Sequence, residues 1–211
     1  MKKSILALCA LTLTAGLVAC GGGTSSYTVG GTVTGLQYPG LVLTNNATDD
    51  LAIAPAGLDA NGAVKDVTYQ FAKQLDYGDP YSVAIKTPPA HQTCTATRGA
   101  ADTAGRLTVI QAVISCGLVK NTVGGKITGL AADGLVLNNG GFSTGEIVKD
   151  ATTGAYPTAF VFGEAVVYGQ TYGVTVLKQP AGQTCTVKNG AGEMGDNAVT
   201  AIEVTCVKNP A

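Results

Sequence analysis

The chain has 211 residues, with 13 basic and 14 acidic side chains and no basic cluster. That balance lacks the electrostatic footprint of a nucleic-acid binder, and a hydrophobic content of 45% excludes the apolar-poor composition of a disordered chain. With 29 glycines, 8 tyrosines and no tryptophan among abundant Val, Thr and Ala, the composition favours short strands divided by turns.

The first element is a leader. Lys2 and Lys3 are followed by a mostly apolar run from Ile5 to Leu17, and Gly21-Gly22-Gly23 comes directly after Cys20. A positive start, a short apolar stretch and a small residue before the cut mark a secretory signal. A spanning helix needs roughly 20 apolar residues, more than the 16 between Lys3 and Cys20. The ending Leu17-Val18-Ala19-Cys20 resembles the lipobox of bacterial lipoproteins. That resemblance implies cleavage before Cys20, attachment of diacylglycerol to its thiol, and acylation of the new amino group. One acyl chain anchors only marginally, whereas two or three hold a soluble domain at the bilayer. In the same family an aspartate after the cysteine marks inner-membrane retention, so Gly21 implies the outer membrane. The expected division is a signal peptide over 1–19 and a lipidated Cys20 with a flexible Gly/Ser linker over 20–26.

Beyond the linker the chain repeats itself. Val29-Gly-Gly-Thr-Val-Thr-Gly-Leu36 returns as Val123-Gly-Gly-Lys-Ile-Thr-Gly-Leu130, and Gly40-Leu-Val-Leu43 returns as Gly134-Leu-Val-Leu137. Tyr77-Gly78 and Tyr81 return as Tyr168-Gly169 and Tyr172, and Pro89-Ala-His-Gln-Thr-Cys94 returns as Pro180-Ala-Gly-Gln-Thr-Cys185. Two units follow, 27–119 and 120–211, each long enough for a small core of its own.

Period-2 alternation puts Tyr69 and Phe71 on one strand face, and likewise Phe160 and Phe162. Asn61-Gly62, Asn139-Gly140 and Asn189-Gly190 supply turn signals. The expected fold is all-β: two tandem antiparallel sandwiches of six or seven strands each. Leu75, Gly78, Tyr81 and Val83 resemble a motif of the transthyretin-like, carboxypeptidase-regulatory class of Ig-like sandwich. Gly169, Tyr172 and Val174 match it again, with Val166 in place of the leucine. The whole unit also resembles repeats of uncharacterised proteobacterial surface lipoproteins, a likeness that implies a module and no activity.

Of six cysteines, Cys9 leaves with the signal and Cys20 takes lipid. The remaining four suit disulfides in an oxidising compartment. Pairing Cys94 with Cys116 and Cys185 with Cys206 treats both units alike and keeps each self-contained.

Chemistry for catalysis is hard to assemble. His91 is the single histidine, its partner position is Gly182, and it reads as a solvent-exposed loop residue beside Pro88-Pro89. No acid or nucleophile is nominated to complete a triad. Asp59-Ala-Asn61-Gly62 reads as a plain turn without the distal glutamate of a calcium loop. Asp49-Asp50 and Gly192-Glu193-Met-Gly-Asp196-Asn197 read as solvated acidic loops, and the pairs Gly30-Gly31 and Gly124-Gly125 as points of close backbone approach. Tyr27 and Tyr38 are candidate exposed rings for a sugar face. The sequence therefore predicts a non-catalytic envelope lipoprotein with no cofactor and no metal, held to the outer membrane by its lipid. It would act as a structural, adhesion or accessory binding module toward an envelope protein or surface glycan. The alternative is glycan or calcium binding by the sandwich end loops.

Overall fold

The structure, a computed structural model, describes residues 26–107 and 109–210; Cys20 and the leader lie outside the described residues. The described chain is strand and turn throughout, with no helix long and apolar enough to cross a membrane among those residues.

The first repeat contains β1 (Ser26–Thr34), β2 (Leu41–Asn45), β3 (Asp49–Ile53), β4 (Val67–Asp76), β5 (Pro80–Thr87), β6 (Gln92–Arg98), β7 (Ala101–Thr103) and β8 (Ile110–Leu118). They form two sheets of four strands, in the orders β4-β1-β8-β6 and β3-β2-β5-β7. The alternation seen in sequence decides what faces inward. Tyr69, Phe71 and Leu75 of β4 and Ile110, Ala112, Ile114 and Cys116 of β8 are buried. They meet Leu41, Leu43, Tyr81 and Val83 of the other sheet in one core. Burying a side chain such as that of Phe71 contributes about 1.5–3 kcal/mol.

The second repeat follows the same plan with two strands interrupted. It has β9 (Lys120–Asn121), β10 (Val123–Thr128), β11 (Val136–Asn139), β12 (Phe142–Ser143), β13 (Ala159–Val161), β14 (Val166–Val167), β15 (Thr171–Lys178), β16 (Gln183–Lys188), β17 (Ala191–Glu193) and β18 (Val199–Lys208). Here β9 and β10 together take the place of β1, and β13 and β14 that of β4. Its sheets run β13-β10-β18-β16 and β12-β11-β15-β17, with β14 paired to β9. Each repeat thus has eight strand positions, where the sequence suggested six or seven, because short edge pieces such as β7 and β12 carry too few residues to show a period. The paired rings are reproduced closely. Tyr69–Phe71 and Phe160–Phe162 both meet edge to face at 5.8 Å and 89°. The Tyr69 hydroxyl also donates to the Ala112 carbonyl at 2.9 Å, and burial pushes its pKa up to about 12.

One pairing departs from an all-antiparallel plan. β1 runs parallel to β8, and β10 parallel to β18. In each repeat the first strand and the last therefore run the same way. The chain enters at one end of the sandwich, called the near pole, and leaves at the opposite end, the far pole. An antiparallel pairing would return the exit to the entrance and fold the second repeat back alongside the first.

Gly30-Gly31 and Gly124-Gly125 make this arrangement possible. A Cβ on Gly31 would collide with the Ala112 carbonyl and one on Gly30 with the Tyr69 carbonyl. The same holds at Gly125 against Ile202 and at Gly124 against Phe160. The glycines let a central strand lie against both neighbours at an irregular register.

At the far pole a buried glutamine fixes each loop. Gln92 accepts from the amides of Gln37 and Tyr38 at 2.8 and 3.0 Å, and donates to the Gly35 carbonyl at 2.7 Å. Gln183 accepts from Ala131 and donates to Gly129, both at 2.7 Å. This is the physical content of the repeated Gln-Thr-Cys-Thr segment: its first residue pins the Gly-Leu turn and its third makes the cystine.

Candidate functional site at the joint of the two repeats

Both cystines form within a repeat. Cys94 pairs with Cys116 across β6 and β8, and Cys185 with Cys206 across β16 and β18. Sequence separations of 22 and 21 close loops for which the chain-entropy estimate is about 3 kcal/mol each. Cys20, the expected lipidation site, lies outside the described residues.

The acidic candidates separate into different roles. Asp59 accepts from the amides of Asn61 and Ala63 at 2.8 and 2.9 Å, an ordinary Asx turn. Asp49 and Asp50 are in strand β3 and not in a loop, because the hairpin turn falls earlier, with Asn46 and Ala47 at positive φ. Asp50 pairs with Lys86, which holds its carboxyl below the usual carboxylate range. Glu193 ends β17, while Asp196 belongs to the joint. No group of three His, Cys, Asp or Glu side chains is placed to hold a metal among the described residues.

The largest departure from the sequence reading is His91. It is half-buried between the repeats, not free in solvent. Its ring stacks on Tyr168 of the second repeat at 4.0 Å and 14°. Tyr38 sets its edge against both rings, at 4.9 Å from His91 and 5.9 Å from Tyr168. The His91 Nδ1 lies 2.9 and 2.8 Å from the two carboxylate oxygens of Asp196. Burial pushes the Tyr168 hydroxyl pKa upward, with Tyr38, Asp196 and Glu193 adding to the shift.

The backbone reinforces the cluster. The Val119 amide donates to the His91 carbonyl, and the Val119 carbonyl accepts from the Tyr168 amide, both at 2.9 Å. Val119 thus stitches the far pole of the first repeat to the near pole of the second. β9 then pairs with β14, Lys120 opposite Val167 and Asn121 opposite Val166. The Asn121 side chain donates to the Gly195 carbonyl at 3.0 Å.

His91 sits at φ 57°, a region its matched Gly182 occupies at φ 67°. Glycine meets that turn without strain, whereas an L side chain costs roughly 1–2 kcal/mol there. The first repeat tolerates this cost in return for an imidazole aimed at its neighbour. Tyr38 likewise stands where the second repeat has Ala132, and Asp196 where the first has Arg106. Every side chain of the cluster except Tyr168 is therefore a point where the repeats differ. Sequence reasoning discounted His91 because the repeat did not require it, yet that difference is the signal that locates the joint. Of the two candidate sugar-binding rings, Tyr38 is committed to the joint and Tyr27 packs beside Tyr77 at 6.4 Å.

No protein-family model matches the chain, and no curated protein does. Among solved structures, the Bacillus anthracis TIE protein is similar with a TM-score of 0.42 and 13% identity, over 86% of this chain and 34% of that one. A streptococcal ancillary pilin gives a TM-score of 0.27 and 17% identity over 87% of this chain and 63% of its own. The minor pilin of Streptococcus agalactiae gives 0.24 and 11%, over 88% and 98%. The chain spans about a third of the TIE protein and under two thirds of the ancillary pilin. Superpositions this loose transfer no property of those proteins.

Proposed function

We propose that the protein is a non-catalytic spacer and display module of the bacterial envelope, tethered through lipid on Cys20, with two repeats over 27–119 and 120–211 arranged in line. The joint carries this reading. Stacked rings, a carboxylate on the imidazole and the backbone bond from the Tyr168 amide to the Val119 carbonyl would hold the second repeat beyond the far pole of the first. Aromatic pairs of this kind contribute about 0.5–1.5 kcal/mol each beyond burial, and the imidazole–carboxylate hydrogen bond about 0.5–1.5 kcal/mol. β1 alone, at 9 residues, rises about 30 Å. Two such bodies in line would lift the end loops of the second repeat well clear of a lipid headgroup layer. Those loops then form the surface offered to an envelope protein or a surface glycan, since the far-pole loops of the first repeat are occupied.

The test is fractionation of cells expressing the full chain and its Cys20→Ala variant, with mass spectrometry of the mature terminus. The parent is expected in the membrane fraction with an acylated Cys20. The variant is expected in the soluble fraction with both cystines intact. A folded variant that stays with the membrane would overturn the anchor.

A further inference from the structure

The near poles of the two repeats are the same construction used in two settings, and the contrast between them points to a second membrane contact. In the second repeat the turn after β14 presents Tyr168, and the loop after β17 presents Asp196 and Asn197; Tyr168 and Asp196 meet the first repeat. In the first repeat the matching turn presents Tyr77 and the matching loop presents Arg106 and Leu107, with Val109 leading into β8. Among the described residues, none of these meets another part of the protein that covers it. Tyr77 is 74% exposed, Leu107 57% and Val109 61%, and the Arg106 side chain is 72% exposed. Tyr27 of β1 packs at 6.4 Å from Tyr77, and a Cβ on Gly105 would run into the Tyr77 ring. The turn, the loop and the first strand therefore form one cap.

What covers this cap follows from where the chain comes from. β1 begins at Ser26 on this pole. Six residues, Cys20 to Ser25, precede it, and even fully extended they span only about 20 Å. Resting on the reading of Cys20 as the lipid anchor, we propose that the near pole of the first repeat lies on the bilayer surface, with Tyr77, Leu107 and Val109 entering the interfacial layer. An aromatic ring with a polar edge is at home at that depth, and an arginine stem can lie along it with its head in the phosphate layer. The acids at this pole set the kind of lipid. Asp102 holds Arg106 at 3.0 Å, Asp79 caps the Asp76 amide at 3.0 Å, and Asp76 is exposed. With three carboxylates against one guanidinium, the contact is apolar in origin and is not strengthened by anionic lipid. The cap stops the first repeat from swinging on its glycine tether, and the in-line joint passes that orientation to the second.

The chain contains no tryptophan, so one introduced indole reports its own surroundings. The experiment uses the lipidated full-length Leu107→Trp protein in phosphatidylcholine vesicles, with acylation checked by mass spectrometry and Val161→Trp, on the outer face of the second repeat, as the reference. The expected result is blue-shifted emission from Leu107→Trp that brominated phosphatidylcholine quenches, with no quenching of Val161→Trp. Acylated protein whose Leu107→Trp emission is unquenched would overturn the docking alone. A blue shift without quenching would assign the pole to a second copy of the chain and overturn it too. Quenching of both fluorophores would mean that the protein lies flat, against an upright orientation. A chain without acyl mass on Cys20 would overturn the anchor reading and, with it, this one.

Discussion

The near poles of the two repeats share a tyrosine-glycine turn, a loop leading into the last strand, and a pairing of first strand with last. At one of them Tyr168 and Asp196 close against His91 and Tyr38; at the other Tyr77 and Leu107 face outward. The scaffold is constant and the few side chains on it decide what each pole touches. Duplication supplied a through-connected sandwich, with entry and exit at opposite ends. Differences at Tyr38, His91 and Asp196 set the two copies apart. On the far side of the second repeat Ala132 and Gly182 replace Tyr38 and His91, so a third repeat would find no matching socket.

The comparison breaks most severely if the halves do not fold as separate bodies. Phe71→Ala and Phe162→Ala each empty a buried ring site and should cost about 3–5 kcal/mol. Calorimetry is expected to show each variant lowering one transition and leaving the other in place; a joint loss in both would deny self-contained cores. Removing the second cystine with Cys185→Ala and Cys206→Ala together should weaken the second repeat by about 3 kcal/mol. Equal denaturation midpoints for that variant and the parent would count against the estimate.

Much of this fold can be read from the residues. The duplication, the cystine pairing and the inward rings of Tyr69–Phe71 and Phe160–Phe162 follow from matched positions and period-2 alternation, which depend on local geometry alone. Three features could not be read that way. The parallel pairing of β1 with β8 is a matter of strand order, which alternation does not encode. Asp49-Asp50 looked like a loop because of charge; on the edge strand β3 the Asp50 carboxylate reaches Lys86, so strand and charge are compatible. The joint lies in the differences between copies, and a search for similarity passes over it. His91 matches Gly182 in sequence, and a non-glycine residue at a left-handed position is a reason to look for function.

Smaller effects sharpen the contrast between the poles. Tyr168→Ala should remove the stack and its edge contact, loosening the coupling between repeats by about 1–2 kcal/mol. Tyr77→Ala, at the matched position, should change the stability of the soluble protein by no more than about 0.5 kcal/mol. Chemical denaturation of the Cys20→Ala background measures both; equal effects would mean that the poles are not differently used.

A further effect is alkaline. The Tyr69 hydroxyl stays protonated to about pH 12 in the fold but only to about 10.0 when unfolded. A raised folded value stabilises fully below the unfolded value and is lost as pH rises through the folded one. The first repeat should therefore weaken between about pH 10.0 and pH 12, and Tyr69→Phe should remove that slope. The second repeat, with Phe160 at the matched place, lacks this contribution. A slope that persists in Tyr69→Phe would assign it to another group.

Residual dipolar couplings of the soluble Cys20→Ala protein, aligned in a dilute liquid crystal, test the in-line joint most directly. A single alignment tensor should fit the amides of both repeats in the parent, and two different tensors should be needed once His91→Gly gives the first repeat the residue its partner carries. Two tensors in the parent would contradict the account, since repeats that tumble independently cannot hold a display surface at a fixed distance from a membrane.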